Sequence, residues 1–362
     1  MQIIRDRRAL HRIPELDKTL PKTMQYLRQS LEGLNCRLFD PTDDSLCAFF
    51  DFGAQSAIAF RADCDALPIQ EQSNTKYCSA HEGKMHACGH DGHMAILLEL
   101  ARRLNNKKSL RHNVLLIFQS AEETTGGALP ICQSGIFDTY QVKAIFGLHL
   151  WPQLTAGIVH SRQGELMARA SEIDIDIYGR SAHIAKAAEG LDALTAGADF
   201  LRRAYALEQT LPENIYRLLK FGHMESGTVR NALSAHTRIE GSLRAFQDET
   251  FNYLRDGLYA IASDIEAETG CTVKISLAEG LPPVMNPAAL YQEVQGICEF
   301  VPLDAPSMTA EDFSWYQRFI PGMFFFLGLG DVNALHTAEF DFNDEILLKG
   351  ADFFEALAEN FQ

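Results

Sequence analysis

The period of the hydrophobic positions changes along this chain, and each change marks an element. In residues 23–34, TMQYLRQSLEGL, apolar side chains recur at Met24, Leu27, Leu31 and Leu34, which predicts a helix. SAIAFRADCDALP then reads as a short apolar strand ending at Arg61, Ala62 and Asp63. MAILLELARRL returns to helical spacing, with Leu97, Leu100, Ala101 and Leu104 on one face. NVLLIFQ is an apolar strand over 114–118 that runs on into Glu122 and Glu123. VKAIFGLHLWP is another, ending at His149. Apolar strands alternating with helices predict an α/β unit whose sheet is largely buried.

Near residue 168 the period becomes two. In ASEIDIDIYGR, Ile173, Ile175 and Ile177 alternate with Glu172, Asp174 and Asp176, the mark of a half-exposed strand. A helical stretch over 191–207 follows, then strands in YRLLKFGHMESG and SAHTRIEGSLRAF, a helix over 250–269, and the strand CTVKISLAEG. Strand-helix-strand-strand-helix-strand is the order of a ferredoxin-like α+β sandwich. After GLPPVMNP the α/β character resumes, with GMFFFLGLG as a buried strand. The second unit therefore reads as an insertion. The expected organisation is 1–168, an inserted 169–280, and 281–362, with hinges near 167–170 and 279–283, where Gly280, Pro282 and Pro283 break the pattern.

At 362 residues, two domains are the natural expectation. No apolar run approaches the roughly 18 residues of a membrane span, and charges interrupt the first sixteen residues, so a cytoplasmic protein is expected. The eight cysteines form no CxxC pair and read as free thiols. A formal net charge of −16 argues against nucleic acid or an anionic membrane as partner. A small anionic substrate stays compatible, because one arginine in a cleft can outweigh a distant field.

MHACGHDGHMA, residues 85–95, holds three histidines, a cysteine and an aspartate. Three readings compete: a metal site, a catalytic thiol with its base, or a polar loop. Residues two apart in an extended loop point opposite ways, which weakens direct pairing of Cys88 with His90. Asp63, Glu122, Glu123, His149 and His336 all stand just past apolar strands or in the segments that join them, where open α/β sheets bind ligands. With Cys88 and His90 these groups would meet in one crevice. Two adjacent glutamates suggest a division of labour, one binding metal and the other kept as general base. The donors are borderline-soft, suiting Zn, Co, Ni or Mn and not Mg or Ca. His86 and His93 flank the cluster as further candidates; His11, His112, His160, His223 and His236 read as surface or structural.

RRALHRIPEL, FRADCDALPI, MHACGHDGHMA, FQSAEETTGGA, FGLHLWP, AEDFSWY and LHTAEFDF, taken in order, resemble the hippuricase-type branch of the dimetal aminoacylase and carboxypeptidase family, which includes N-acetyl-diaminopimelate deacetylases. The resemblance implies a zinc-exopeptidase-like α/β catalytic domain with an inserted ferredoxin-like lid, and two divalent metal ions (Zn, Mn, Co or Ni). It implies Cys88, His90, Glu123, His149 and His336 as metal ligands, Glu122 as general base, and Asp63 as support for a ligand histidine or the water network. In YGRSAHIAKAAEGLDA it points to His183 as a group reaching the substrate carbonyl, across a dimer in one arrangement. In SGTVRNALSAHTRIEGSLR it points to Asn231 and Arg244 for the substrate carboxylate.

The sequence departs from the family pattern at Ser120, where proline is usual, at Lys186, Ala187 and Ala188, which lack a proline, and at Ala310, usually glycine. None of these removes a ligand or the base. The implied reaction is hydrolysis of a small-molecule N-acyl amino acid, N-acetyl-L,L-diaminopimelate foremost, by a homodimer joined through its lids. A dipeptidase or carboxypeptidase is the alternative, with Glu311 as the acid for a free α-amino group.

Overall fold

Along the chain run α1 (Gln2–His11), α2 (Pro21–Leu31), β1 (Arg37–Phe39), β2 (Leu46–Phe50), β3 (Ala57–Asp63), α3 (His90–Asn105), β4 (Asn113–Gln119), β5 (Val142–Trp151) and β6 (Val159–Ser161). There follow β7 (Arg169–Tyr178), α4 (Ala193–Gln209), β8 (Arg217–Ser226), β9 (His236–Ala245), α5 (Asp248–Thr269) and β10 (Thr272–Leu277). The chain closes with β11 (Val301–Pro302), β12 (Gly322–Gly328) and α6 (Leu347–Asn360). These elements, with shorter helices and strands between them, come from a computed structural model that describes residues 1–124 and 126–362.

Two units emerge. The first comprises Met1–Leu166, Met285–Pro306 and Asp312–Gln362; the second comprises Met167–Val284 and Ser307–Glu311. The borders fall within a few residues of the expected hinges, but 307–311 join the second unit, which no local pattern announces. There Ala168 N–H donates to the carbonyls of Ser307 and Thr309.

Eight strands of the first unit form one sheet, in the order β1-β2-β4-β3-β5-β12-β6-β11. The middle four, β4, β3, β5 and β12, run parallel, and β2 and β6 flank them antiparallel. Every residue of β3, β4 and β12 is buried. That explains their unbroken apolar reading: a parallel sheet covered on both faces has no polar side. Phe60, Phe118, Phe146, Phe324 and Phe325 lie wholly inside, each stabilising the fold by roughly 1.5–3 kcal/mol.

In the second unit the sheet order is β10-β7-β9-β8, antiparallel throughout. The alternation in β7 sends Ile173, Ile175 and Ile177 into a separate core with Phe200, Phe251 and Leu258 from α4 and α5. Asp192 caps α4, its Oδ1 accepting from the N–H groups of Leu194 (3.1 Å) and Thr195 (3.4 Å). No helix among the described residues is long and apolar enough to cross a membrane.

Candidate metal centre

The parallel strands of the first unit end together, and their ends supply the site. Asp63 is the last residue of β3, Gln119 the last of β4 with Glu122 and Glu123 just beyond, and His149 stands two residues before the end of β5. His90 is the first residue of α3, one step inside the helix that the sequence pattern places after it. Gly89 bridges Cys88 and His90 at φ +89°, a conformation open to glycine and strained for other residues.

These residues converge. Cys88 Sγ lies 3.4 Å from His149 Nε2 and 3.3 Å from His336 Nε2. His336 Nε2 is 3.2 Å from Glu123 Oε1, and His90 Nε2 is 3.8 Å from that oxygen. Donors sharing one tetrahedral zinc ion at bond lengths near 2.0–2.3 Å sit roughly 3.3–3.6 Å apart. The spacing therefore fits a coordination shell. Two overlapping groups stand out, Cys88 with His90 and His149, and Cys88 with Glu123 and His336; Cys88 is common to both.

The tautomers fit as well. His90 Nδ1 donates to the Asp65 carbonyl at 2.8 Å, and His149 Nδ1 donates to the Leu150 carbonyl at 2.7 Å. Each ring is thereby fixed with its Nε2 lone pair turned to the cluster. His90 Nε2 is fully buried with no hydrogen-bond partner. An orphaned buried acceptor of this kind is destabilising unless something else binds it. Borderline-soft cations answer that need. The electrostatics show a pocket that favours positive charge: burial disfavours a charged His90, yet Asp63, Asp65 and Glu123 outweigh it and raise the ring to about 10, so a cation bound at Nε2 would take the place of a proton. Burial, reinforced by Glu123 and Glu122, pushes the Cys88 thiol well up, a situation that a bound cation inverts.

The backbone is strained where the chemistry is. His336 has φ +63° and Ala121, just before the glutamate pair, φ +55°; each such residue costs about 1–3 kcal/mol. Hydrogen bonds hold both in place. His336 N–H donates to Ala87 O at 2.9 Å, and Ala121 O accepts from Gly126 N–H at 2.9 Å.

Asp65, which the sequence reading passed over, clasps the glutamates. Its carboxylate accepts the backbone N–H groups of Glu122 (3.0 Å) and Glu123 (3.1 Å), while its carbonyl holds His90. The D-x-D spacing in RADCDALP was the available signal. Asp63 supports histidines: its Oδ1 accepts from His93 Nδ1 at 2.5 Å and its Oδ2 lies 3.6 Å from His90 Nε2. His93 Nε2 in turn accepts Leu150 N–H at 2.9 Å, so both its nitrogens are committed and it is a support, not a ligand. His86 is buried but joins none of the ligand groups.

The remaining sequence-derived candidates belong to the second unit. His183 and Asn231 come together there: His183 bridges to Ala232, and Ile184 N–H donates to the Asn231 carbonyl at 3.0 Å. His183 is exposed, and its Nδ1 accepts Ala185 N–H at 3.2 Å, which leaves Nε2 as the N–H donor. Arg244 is elsewhere, near the end of β9, with Nη1 donating to the Met308 carbonyl at 2.6 Å.

Residues 59–360 match the Peptidase family M20/M25/M40. The chain belongs to this peptidase family. An uncharacterized hydrolase of Staphylococcus epidermidis is 33% identical to it, covering 98% of this chain and 97% of the relative. The Bacillus subtilis YxeP protein, described as a dinuclear metal binding peptidase from the M20 family, is 29% identical and superposes with a TM-score of 0.86, over 99% of this chain and 96% of its own. A structure from methicillin-resistant Staphylococcus aureus assigned as an aminohydrolase gives a TM-score of 0.92 at 25% identity, over 99% of this chain and 96% of its own. In M20 terms the first unit is the catalytic domain and the second the lid, and the protein is a hydrolase with candidate metal-ligand groups in its catalytic domain.

Proposed function

We propose that this M20 hydrolase cleaves the amide bond of N-acyl amino acids, with N-acetyl-L,L-diaminopimelate as the best-fitting substrate. The observation that carries the reading is the adjacent pair Glu122 and Glu123, with backbones clasped by one aspartate and Glu123 facing both Cys88 and His336. Glu123 turns to Cys88 and His336 and would serve as a ligand with Cys88, His90, His149 and His336. Two divalent ions held by this set would polarise the scissile carbonyl and acidify the attacking water. Glu122 takes the proton from that water and delivers it to the leaving nitrogen. His183, presenting an Nε2–H, donates to the oxyanion as it develops. The segments AEETTGGA and FGLHLWP favour the diaminopimelate derivative among acylated amino acids.

A homodimer joined through the lids belongs to the same proposal. Eight residues separate His236, beside the Asn231 loop, from Arg244 along β9, roughly 26 Å at 3.3 Å per residue. In this reading the lid of a second copy brings the distant end of β9 to the substrate.

A screen of N-acetyl amino acids against unblocked dipeptides, with added Mn, Co or Zn, tests the reading. Turnover of the acylated set by metal-loaded protein is expected. Turnover confined to dipeptides selects the peptidase alternative, in which Glu311 receives the free α-amino group.

A further inference from the structure

Behind the centre stands a buried network that the proposed chemistry leaves unused. Arg61, on β3, is 2% exposed. Its Nη1 donates to Asp63 Oδ2 at 2.8 Å, its Nη2 to Asp312 Oδ1 at 2.7 Å and its Nε to Gln119 Oε1 at 2.8 Å. Gln119 Nε2 donates to both Asp312 oxygens, at 2.9 and 2.7 Å, and Tyr316 donates to Gln119 Oε1 at 2.9 Å. Asp312 Oδ2 accepts one more bond, from the backbone N–H of Ala128 at 3.0 Å. Asp63, Gln119, Asp312 and Tyr316 are each 1% exposed or less.

This wiring joins two sides of the site. One guanidinium is shared between Asp63, which faces His90 and His93, and Asp312. The fork of a guanidinium is rigid, so a partner on one arm fixes the direction of the other. Ala128 follows the turn that carries Glu122 and Glu123. Gly127 approaches the start of that turn closely: a Cβ there would stand 1.9 Å from the Ser120 carbonyl oxygen. We propose that Asp312 is a positioning residue of the metal centre. Through Arg61 it orients Asp63 against the histidines, and through Ala128 it holds the end of the glutamate turn. The proposal rests on the metal-centre reading above, and a role in stability alone is its rival.

The test is cobalt binding by the full-length protein, measured by competition with a chromophoric chelator, with the d–d absorption of the cobalt-loaded protein as a second readout. Asp312→Asn keeps the shape but removes the charge facing Arg61. Its cobalt affinity is expected to fall about 10- to 100-fold, the usual effect of losing a partner behind the ligands, with a shifted absorption spectrum. Gln119→Glu removes both donors to Asp312 at constant length and is expected to lower affinity about 10-fold. It carries the test if Asp312→Asn does not fold. Wild-type affinity and spectrum in the folded variants, with only the melting temperature lowered, overturn the proposal. A wild-type protein that binds no cobalt sinks the metal-centre reading itself.

Discussion

The candidate metal centre of the first unit and the loop pair of His183 and Asn231 in the second are built on opposite plans. Cys88, His90, His149 and Asp63 are buried; backbone carbonyls fix the rings of His90 and His149 in advance, and His93 and Arg61 fix the oxygens of Asp63. His183 and Asn231 are exposed, held by two or three bonds of a loop pair. The difference teaches what each task requires. Donors gathered for cations repel one another or go unsatisfied without them, so the surrounding protein must hold the set together. A group that acts only when substrate arrives can wait in water, at little cost to the free protein.

The comparison breaks first at the two glutamates. Glu122→Gln is expected to lower kcat by roughly 10² to 10⁴ with metal content unchanged, because it removes a proton acceptor. Glu123→Gln should instead lose metal. Metal analysis beside steady-state kinetics decides, and the reverse outcome exchanges their roles.

The lid gives the next largest effect. His183→Ala should reduce kcat by about 10² to 10³, the worth of one oxyanion donor, and leave metal occupancy and melting temperature nearly untouched. An altered KM alone, or a lost metal, would place His183 outside the role assigned to it.

The smallest effect sharpens the comparison from the structural side. His11 sits in a second buried network: Nδ1 is 2.8 Å from Asp91 Oδ2, Nε2 is 3.3 Å from Glu71 Oε1, and Arg7 and Tyr77 pack beside it. Burial opposes its charge, but Asp91 and Glu71 prevail and lift the ring from 6.5 to about 9. A raised pKa stabilises the folded state fully below about pH 6.5 and loses that contribution as pH rises through about 9. The loss is on the order of 3 kcal/mol. Melting temperature against pH should therefore fall more steeply between 7 and 10 in wild type than in His11→Gln; parallel curves would rule the linkage out.

How much of this was legible depends on whether the signal was local. The buried strands 57–63, 113–119 and 322–328 announced themselves because both faces are covered. The strand 169–178 did so because only one is. Asp63, Glu122, Glu123 and His149 could be placed together because strand ends of a parallel sheet share an edge. The short strands 37–39 and 46–50 carried too few residues for a period to show. Arg61, a charge in the middle of a buried strand, gave no hint of its bonds to Gln119 and Asp312, because these lie 58 and 251 residues away. Arg244 and Asn231 are paired by the family resemblance; in the second unit Asn231 stands beside Ile184, while Arg244, near the end of β9, donates to the Met308 carbonyl.

The sequence by itself determined the α/β frame, the inserted second unit, the family and the residue types able to hold borderline-soft cations. Those follow from periodicity and from motif order, which are properties of neighbours along the chain. Only the tertiary structure decided that His93 is a support and not a ligand, that Asp65 clasps both glutamates, and that Cys88 is common to both donor groups. Only it showed Asp312 at the far side of Arg61. Each of these depends on which of several capable atoms lies within about 3 Å of which other, and that distance is fixed when the sheet closes and the strand ends meet.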